Sequence, residues 1–505
     1  MKKIVQKIKT SLKTYHPPKP LAMLFLLIPF FSFFIGKTNL GIDNDLWFIL
    51  TTGRYILTQG FPLIEPFTIH ENFAFVIQQW LTDVIFYRVF DLFGLIGISI
   101  FVMLIFVVIL FIMYKLCKLI SDNRVHLSVL ITIVFGILYS FFYLTSRPQI
   151  FDALFLLLSF YFLELYIKKG KIKYLIGLPI CSFLLINFHA SSWFMLFLFI
   201  LPYLLNFKIK LFSYDKYKIK PLLVTVVIMF LAGFLNPYGI RAIVYIFSSF
   251  GNRYINDLVI EMHIPNITSL TGIVIYASLF GILLCYVFYR KSKLKLRYLL
   301  LYLGTTVLAL SSIKGFQFFL LACFFPLASY LKPNFKIYQE NYHYSKQFKI
   351  RYVIIVLCLL SLLGVTFLDS SHEYKNRIEN IKNYLVEHES NHKEELKIYT
   401  GYNDGGYLEF YGFKVYLDPR AEVFLKSNNK QKDVIEEYSK LQKGRVDIDQ
   451  FLSEYNFDYL VLEETDYIYD QYLSKKDNKN YQYVMEEKRE NSGKNDTMYL
   501  YKRSD

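Results

Sequence analysis

Two acidic residues, Asp43 and Asp45, flank Asn44 just after an apolar run at residues 20–36. Carboxylates at a membrane surface are costly unless they are solvated, paired or used in function. One such carboxylate could take the proton from an attacking hydroxyl. Two of them, spaced Asp-x-Asp, could hold a divalent cation through oxygen ligands. Either acid could instead cap the helix predicted to follow, because Asp is a favoured N-cap residue.

Five other side chains could contact a phosphate or a hydroxyl group of a substrate. Arg147 and Arg241 carry the planar guanidinium that suits phosphate oxygens, and Lys314 supplies a point charge. His189 could bind a phosphate or an acceptor hydroxyl, and Gln79 could contact substrate. The alternatives are lipid-headgroup contact for Arg147 and Arg241, and an internally satisfied interfacial histidine for His189.

The elements that must position these residues are membrane helices. The chain has 505 residues, of which 54% are hydrophobic and 19% aromatic, and this composition is typical of a polytopic membrane protein. The net charge of +15 is unevenly distributed. Residues 1–368 hold 35 Lys and Arg against 13 Asp and Glu, whereas residues 369–505 hold 21 against 28. Basic residues therefore mark membrane-flanking loops, and no nucleic-acid partner is expected.

Apolar runs predict about eleven membrane-spanning helices. Basic residues concentrate in alternate loops, so the positive-inside rule places the N-terminus in the cytoplasm and, with an odd number of spans, the tail outside. The predicted spans are 20–36, 93–115, 126–146, 150–167, 174–188, 190–207, 221–235, 269–289, 298–313, 315–331 and 352–368.

The predicted organisation is a basic cytoplasmic N-terminus (1–19), a transmembrane domain (20–368) and an extracytoplasmic α/β domain (369–505). Interfacial helices are expected in the outer segments 37–92 and 236–268. In the tail, alternation and helical periodicity are the guides. They predict strands at Gly406–Phe410, Lys414–Leu417, Tyr459–Leu462 and Met498–Tyr501, and helices at 373–397, 430–442 and 447–455.

Familiar motifs of soluble enzymes are missing. We find no Walker loop, no zinc-ligand spacing and no serine-triad motif. The five cysteines all fall in apolar runs, so no disulfide framework is expected in the tail.

The first outer segment resembles the first extracytoplasmic loop of GT-C superfamily glycosyltransferases, such as the lipid A aminoarabinose transferase and the protein O-mannosyltransferases. The resemblance rests on Asp45, Arg54–Leu57, Gly60–Pro62, Trp80–Leu81 and Phe93–Gly94. A fuller pattern is similar to that of a group of uncharacterised bacterial multi-spanning proteins. Its further members are Arg147-Pro148-Gln149, Asn187-Phe188-His189, Asn236 to Gly239 and Asp418-Pro419-Arg420.

This resemblance implies a mainly α, GT-C-like membrane fold in a bacterial cell membrane. It also implies an inverting transfer of a hexosyl or pentosyl group from a polyprenyl-phosphate donor to a cell-wall, glycolipid or glycoprotein acceptor on the outer face. Asp45 would then be the catalytic base, with Asp43 as helper or, with Asp45, as ligand to Mg²⁺ or Mn²⁺. The alternative is a non-catalytic membrane protein for surface polysaccharide: a flippase, a polymerase partner or a scaffold.

Overall fold

The structure is a computed structural model, and it shows a mainly helical chain with one small sheet. It describes residues 42–249, 251–288, 293–331, 376–474, 480–488 and 497–504. The predicted spans 20–36 and 352–368 and the predicted N-terminal region 1–19 lie outside these residues.

Helices dominate the first part of the described chain, and strands appear only near its end. The helices are α1 (Asp45–Gln59), α2 (Trp80–Ile120), α3 (Val125–Tyr143), α4 (Gln149–Lys169), α5 (Gly177–Phe188), α6 (Trp193–Leu204), α7 (Ile219–Ala232), α8 (Ile240–Ser249), α9 (Arg253–Leu258), α10 (Leu270–Phe288), α11 (Leu296–Ser311), α12 (Gly315–Tyr330), α13 (Glu379–His388), α14 (Gly405–Phe410), α15 (Lys426–Asn429), α16 (Val434–Gln442) and α17 (Ile448–Tyr455). The strands are β1 (Lys397–Thr400), β2 (Lys414–Val415), β3 (Tyr459–Glu463), β4 (Tyr481–Lys488) and β5 (Thr497–Arg503).

The nine predicted spans between residues 93 and 331 each coincide with an apolar helix. Three described helices, α2, α4 and α10, are long and apolar enough to cross a membrane by length and composition. The other apolar helices do not meet this criterion, so three of the about eleven predicted spans are identified within the described residues. Helices α5 and α6 have 12 residues each, which is about 18 Å of rise against a hydrocarbon core of about 30 Å.

Helix α2 changes direction at Gly94, which has φ 63° and ψ −161°. Only glycine adopts this backbone conformation without strain. The chain therefore enters as one helix from Trp80 and continues as a second, longer one after Gly94. This break matches the predicted boundary between an interfacial helix and the span at 93–115.

The tail forms a five-stranded sheet in the order β2-β1-β3-β5-β4. β1 is parallel to β2 and β3, with Ile398 opposite Val415 and Tyr459. β5 is antiparallel to both β3 and β4. The first four residues of β3 are buried, as expected for a strand in the centre of a sheet that is covered on both faces.

Two predictions for the tail are wrong. Gly406–Phe410 was expected to be a strand but belongs to helix α14, which packs its ring side chains on helix α1. The predicted helix 373–397 is too long: among its described residues α13 (Glu379–His388) is helical, turns follow, and its last residue, Lys397, begins β1. β4 was not predicted, because buried and exposed residues do not alternate regularly along it. β2, β3, β5, α16 and α17 coincide with their predicted segments.

The tail is joined to the membrane helices through α1. Trp47 packs against Tyr407 at 4.7 Å between ring centroids and against Phe410 at 5.2 Å. Arg54 donates to the Phe410 carbonyl at 2.7 Å, and its guanidinium lies over the Phe410 ring. Arg54 is therefore held by a residue of the tail.

Candidate functional site

The chain around Asp43 is held in a tight turn before α1. One Asp43 carboxylate oxygen accepts the Asp45 backbone N–H at 3.0 Å. The Asp43 N–H donates to the Ser146 hydroxyl, also at 3.0 Å. Asp43 therefore satisfies a backbone donor at the helix start, as a capping residue does. No capping bond is made by the Asn44 side chain.

Arg147, which precedes α4, joins both acids. Its Nε lies 2.8 Å from Asp43 Oδ1 and 3.1 Å from Asp45 Oδ2, and its Nη1 lies 2.5 Å from Glu261 Oε1. We call Asp43, Asp45, Arg147 and Glu261 the Arg147 cluster. It stays partly open to solvent, with 20% of the arginine side chain and 43% of Glu261 exposed. Three carboxylates surround one guanidinium, so the cluster carries excess negative charge.

The carboxyl of Asp45 titrates near neutral pH. Burial raises its pKa to about 7, and the charges of Asp43 and Glu261 add to the rise, whereas Arg147 opposes it. Carboxylic acids ordinarily titrate near pH 4. A carboxyl poised near 7 can accept a proton from a substrate and release it again.

Groups from the tail extend this site. Burial raises the pKa of Glu422, with the Lys314 charge a smaller opposing influence, and the charge of Glu422 adds slightly to the rise in the pKa of Asp45. The Lys314 N–H also donates to the Glu261 carbonyl at 2.8 Å. Burial and the charge of Asp45 raise the pKa of the Tyr402 hydroxyl. This hydroxyl donates to the Pro419 carbonyl at 2.7 Å. The membrane helices and the tail therefore meet at the Arg147 cluster.

A divalent cation would find suitable donors here. The Asp43 and Asp45 oxygens converge on one point, now taken by Arg147 Nε. Magnesium sites often use one or two carboxylates together with substrate phosphates. Within the described ranges, no three His, Cys, Asp or Glu side chains are grouped to hold a metal ion. A cation held by the two aspartates would have to displace Arg147 Nε and complete its shell with water or substrate.

Three predicted site residues lie elsewhere or point elsewhere. His189 bonds to Asp152 and Ser191 rather than to the Arg147 cluster. Arg241 is exposed on α8. Gln79 precedes α2, and its carbonyl accepts from Asp83. The structure thus brings together Asp43, Asp45 and Arg147, with Lys314 next to Glu261.

Glu261 and Glu422 were missed by the sequence reasoning. Glu261 is one of only two acids in the predicted outer segment 236–268, which was a usable signal. Glu422 carried no such signal, because it lies in an acidic tail more than 370 residues after Asp45.

A second ionic group lies deeper, between the first outer segment and the tail. Arg420 Nη2 contacts Asp418 at 2.5 Å, Glu65 at 3.0 Å and Glu409 at 3.2 Å. We call these four residues the Arg420 cluster. Burial and the neighbouring Asp418 raise the pKa of Glu409 well above its usual range. The Arg420 cluster therefore ties the tail to the first outer segment.

The comparisons with known proteins concern the fold. No family model matches the chain, and no curated protein matches it. Solved structures do match. The oligosaccharyltransferase of Archaeoglobus fulgidus, tethered to an acceptor peptide, has a TM-score of 0.58 at 11% identity. The apo form of that enzyme gives 0.56 at 11% identity, and the complex of its AglB with an inhibitory peptide and a dolichol-phosphate gives 0.52 at 10%.

Each match covers 88% of this chain and 69% of the other. Identities this low establish the fold alone, and the apolar helices agree with it. The chain thus has a fold similar to that of the archaeal oligosaccharyltransferase, and three of its described helices are long and apolar enough to cross a membrane.

Proposed function

We propose that this protein is an integral membrane glycosyltransferase that moves a sugar from a polyprenyl-phosphate donor to a cell-envelope acceptor. The observation that carries the proposal is the meeting of Asp43, Asp45 and Arg147 at 2.8–3.1 Å within a GT-C fold. One of the similar solved structures, of AglB, is a complex with a dolichol-phosphate, which supports a lipid-linked donor of that chemical class.

The proposed reaction is a single displacement with inversion at the sugar carbon. Asp45 takes the proton of the attacking acceptor hydroxyl, and its pKa of about 7 suits that task. The Arg147 guanidinium faces the negative charge that grows on the departing phosphate. Asp43 orients Arg147 through the 2.8 Å contact to its Nε. Lys314, next to Glu261, adds positive charge at the same edge.

A divalent cation, Mg²⁺ or Mn²⁺, is proposed to assist when bound. Asp43 and Asp45 would hold it in place of their contacts with Arg147 Nε, and it would supply positive charge at the phosphate. Chelation with EDTA should then lower transfer, and either metal should restore it. Full activity in EDTA would remove the cation from the mechanism and leave Arg147 in the charge-stabilising role.

The membrane arrangement proposed is eleven spans, a cytoplasmic N-terminus and the tail outside, in a bacterial cell membrane. It places the Arg147 cluster at the outer surface, where a hydroxyl acceptor of the cell wall, a glycolipid or a glycoprotein is available. Cysteine accessibility of an engineered site in the tail, with intact and with opened cells, tests this arrangement.

The decisive experiment is transfer by the full-length protein in lipid nanodiscs. The donors are radiolabelled hexosyl and pentosyl polyprenyl phosphates, and the acceptor is the membrane fraction of the expressing strain. We expect Asp45→Asn to abolish transfer, and Asp91→Asn to preserve it, because Asp91 is half exposed and paired only with Arg88.

The outcome that sinks the proposal is normal transfer by a well-folded Asp45→Asn protein. If instead no donor in the panel is consumed by the wild type while surface polysaccharide export depends on the protein, the alternative of a flippase, polymerase partner or scaffold is favoured.

A further inference from the structure

The turn between α5 and α6 carries a polar network separate from the Arg147 cluster. Ser191 Oγ lies 2.7 Å from His189 Nε2, and His189 Nδ1 lies 2.8 Å from Asp152 Oδ1. Asp152 and His189 are buried, whereas Ser191 is exposed. A hydroxyl, an imidazole and a carboxylate in this order form the arrangement by which serine enzymes activate a nucleophile.

The carboxylate fixes the histidine tautomer. An ionised carboxylate can only accept hydrogen bonds, so the imidazole proton lies on Nδ1, which faces Asp152. Nε2 then keeps its lone pair and can take the proton of the Ser191 hydroxyl. The second Asp152 oxygen accepts from Ser192 Oγ at 2.7 Å, so the carboxylate is held by two donors.

The start of α6 follows Ser191 directly. Ser192 is the N-cap residue of α6, but its hydroxyl goes to Asp152 and makes no capping bond. The Ser192 N–H donates to the His189 carbonyl and the Trp193 N–H to the Ala190 carbonyl. The chemistry of this turn therefore depends on the contacts of Ser191, His189 and Asp152.

The turn lies on the same side of the protein as the start of α2. Trp80 Nε1 donates to Asn187 Oδ1 at 2.7 Å, and Thr82 donates to the Phe188 carbonyl at 2.7 Å. α5 and α6 are both apolar, and Ser191 lies in the turn that joins them. Among compounds that collect around apolar helices, lipids are the ones that carry carboxylic ester bonds.

We propose that Ser191 is the nucleophile of a second site, which cleaves carboxylic esters of membrane lipids. Ser191 Oγ adds to the ester carbonyl while its proton passes to His189 Nε2. The carbon–alkoxide bond then breaks, and the alkoxide leaves with that proton, so that the acyl group stays on Ser191. Water adds to the acyl-enzyme, again giving a proton to His189, and the fatty acid departs with Ser191 regenerated. Asp152 is a positioning residue that acts through His189.

The sequence contained no serine-triad motif, because Asp152 lies 37 residues before His189 and on another helix. The proposal is independent of glycosyl transfer, since none of its residues belongs to the Arg147 cluster. Either function can fail while the other stands.

The test is labelling of the full-length protein in nanodiscs by an alkyl fluorophosphonate, followed by peptide mass spectrometry. We expect one labelled peptide, modified at Ser191, and at least about a 100-fold lower rate in His189→Ala. Ser191→Ala should abolish the label. Ser453→Ala, which removes an exposed hydroxyl bonded only to the Gln450 carbonyl, should leave it unchanged.

Asp152 needs a readout that a purely structural role would not move. Asp152→Asn should slow labelling in the wild-type background and have no effect on rate in the His189→Ala background, because it acts only through the imidazole. Added imidazole should partly restore His189→Ala. The proposal is overturned if the label maps away from Ser191, or if Ser191 labels at an unchanged rate in His189→Ala that is folded by its melting curve.

Discussion

The Arg147 cluster and the Arg420 cluster have the same composition, one arginine with three carboxylates, but different surroundings. In the Arg147 cluster the side chains are 20% exposed for Arg147 and 23% for Asp45. In the Arg420 cluster the arginine is 5% exposed and its carboxylates are 0% exposed. Ionic composition alone therefore does not separate a reactive site from a structural one.

What separates them is access to solvent. A buried charge that loses one partner is left uncompensated, so a group such as Arg420 ties elements together. Its partner Glu65 comes from the first outer segment, and the other two come from the tail. The Arg147 cluster can exchange protons and admit a substrate, because its members keep contact with water.

The largest effect that we expect on stability is from Arg420→Ala. It should lower the free energy of unfolding by about 3–5 kcal/mol, because three buried carboxylates lose their only shared cation. Thermal and denaturant unfolding in detergent measures this change. Arg147→Ala is the matched control and should cost about 1 kcal/mol or less, as expected for a partly exposed ion pair. Equal losses in the two variants would erase the distinction between the clusters.

The next largest effect that we expect is a loss of folding stability at acidic pH. His70 Nε2–H donates to the Tyr416 carbonyl at 2.8 Å, and His70 is buried, like Glu65, between the first outer segment and the tail. Burial lowers the pKa of His70 to about 4, so the folded state resists protonation that the unfolded state accepts below about 6.5. The stabilisation that neutral His70 contributes is complete above about pH 6.5. It is lost as the pH falls from there toward 4.

Between pH 7.5 and 5 the loss should be about 2 kcal/mol. His70→Gln keeps a donor toward Tyr416 without a titrating ring. It should flatten the pH dependence of the melting temperature, and an unchanged slope would show that other groups cause it.

A smaller effect is expected from Arg147→Lys. The ammonium keeps the charge but cannot contact Asp43 and Glu261 through two separate nitrogens as the guanidinium does. We expect transfer to fall about tenfold, or about 1.4 kcal/mol, with an unchanged melting temperature. Arg420→Lys should show the reverse, a lower melting temperature with transfer per folded molecule preserved. Transfer by Arg147→Lys at the wild-type rate would argue against bidentate recognition.

The smallest effect is expected from Glu261→Gln. Glu261 is 43% exposed. When glutamine replaces it, Arg147 keeps its contacts with Asp43 and Asp45. Unfolding free energy should change by less than about 1 kcal/mol. Glu409→Gln, in the buried cluster, serves as the comparison and should cost more. If Glu261→Gln lowers the free energy of unfolding as much as Glu409→Gln does, the outer segment 236–268 is held by the Glu261–Arg147 ion pair rather than by its apolar contacts.

Local patterns predicted much of this fold. Apolar runs predicted the positions of the apolar helices. Gly94, which has a positive φ, interrupts α2 close to the predicted start of the span at 93–115. The strand predicted at Gly406–Phe410 is a helix in the structure. The prediction was wrong because alternation over only five residues fits a strand as well as a short helix. Its actual form follows from the contacts of Tyr407 and Phe410 with Trp47, which lies more than 350 residues earlier.

The sequence by itself determined the apolar helices, the charge pattern and the Asp43-Asn44-Asp45 motif, because each depends on residues close together in the chain. The tertiary structure alone decided that Arg147 and Glu261 meet that motif, and that Arg420 is buried with Glu65 rather than exposed. Burial and long-range pairing set the pKa and the accessibility of a carboxylate. Both depend on how helices and sheet pack together, which no local pattern records.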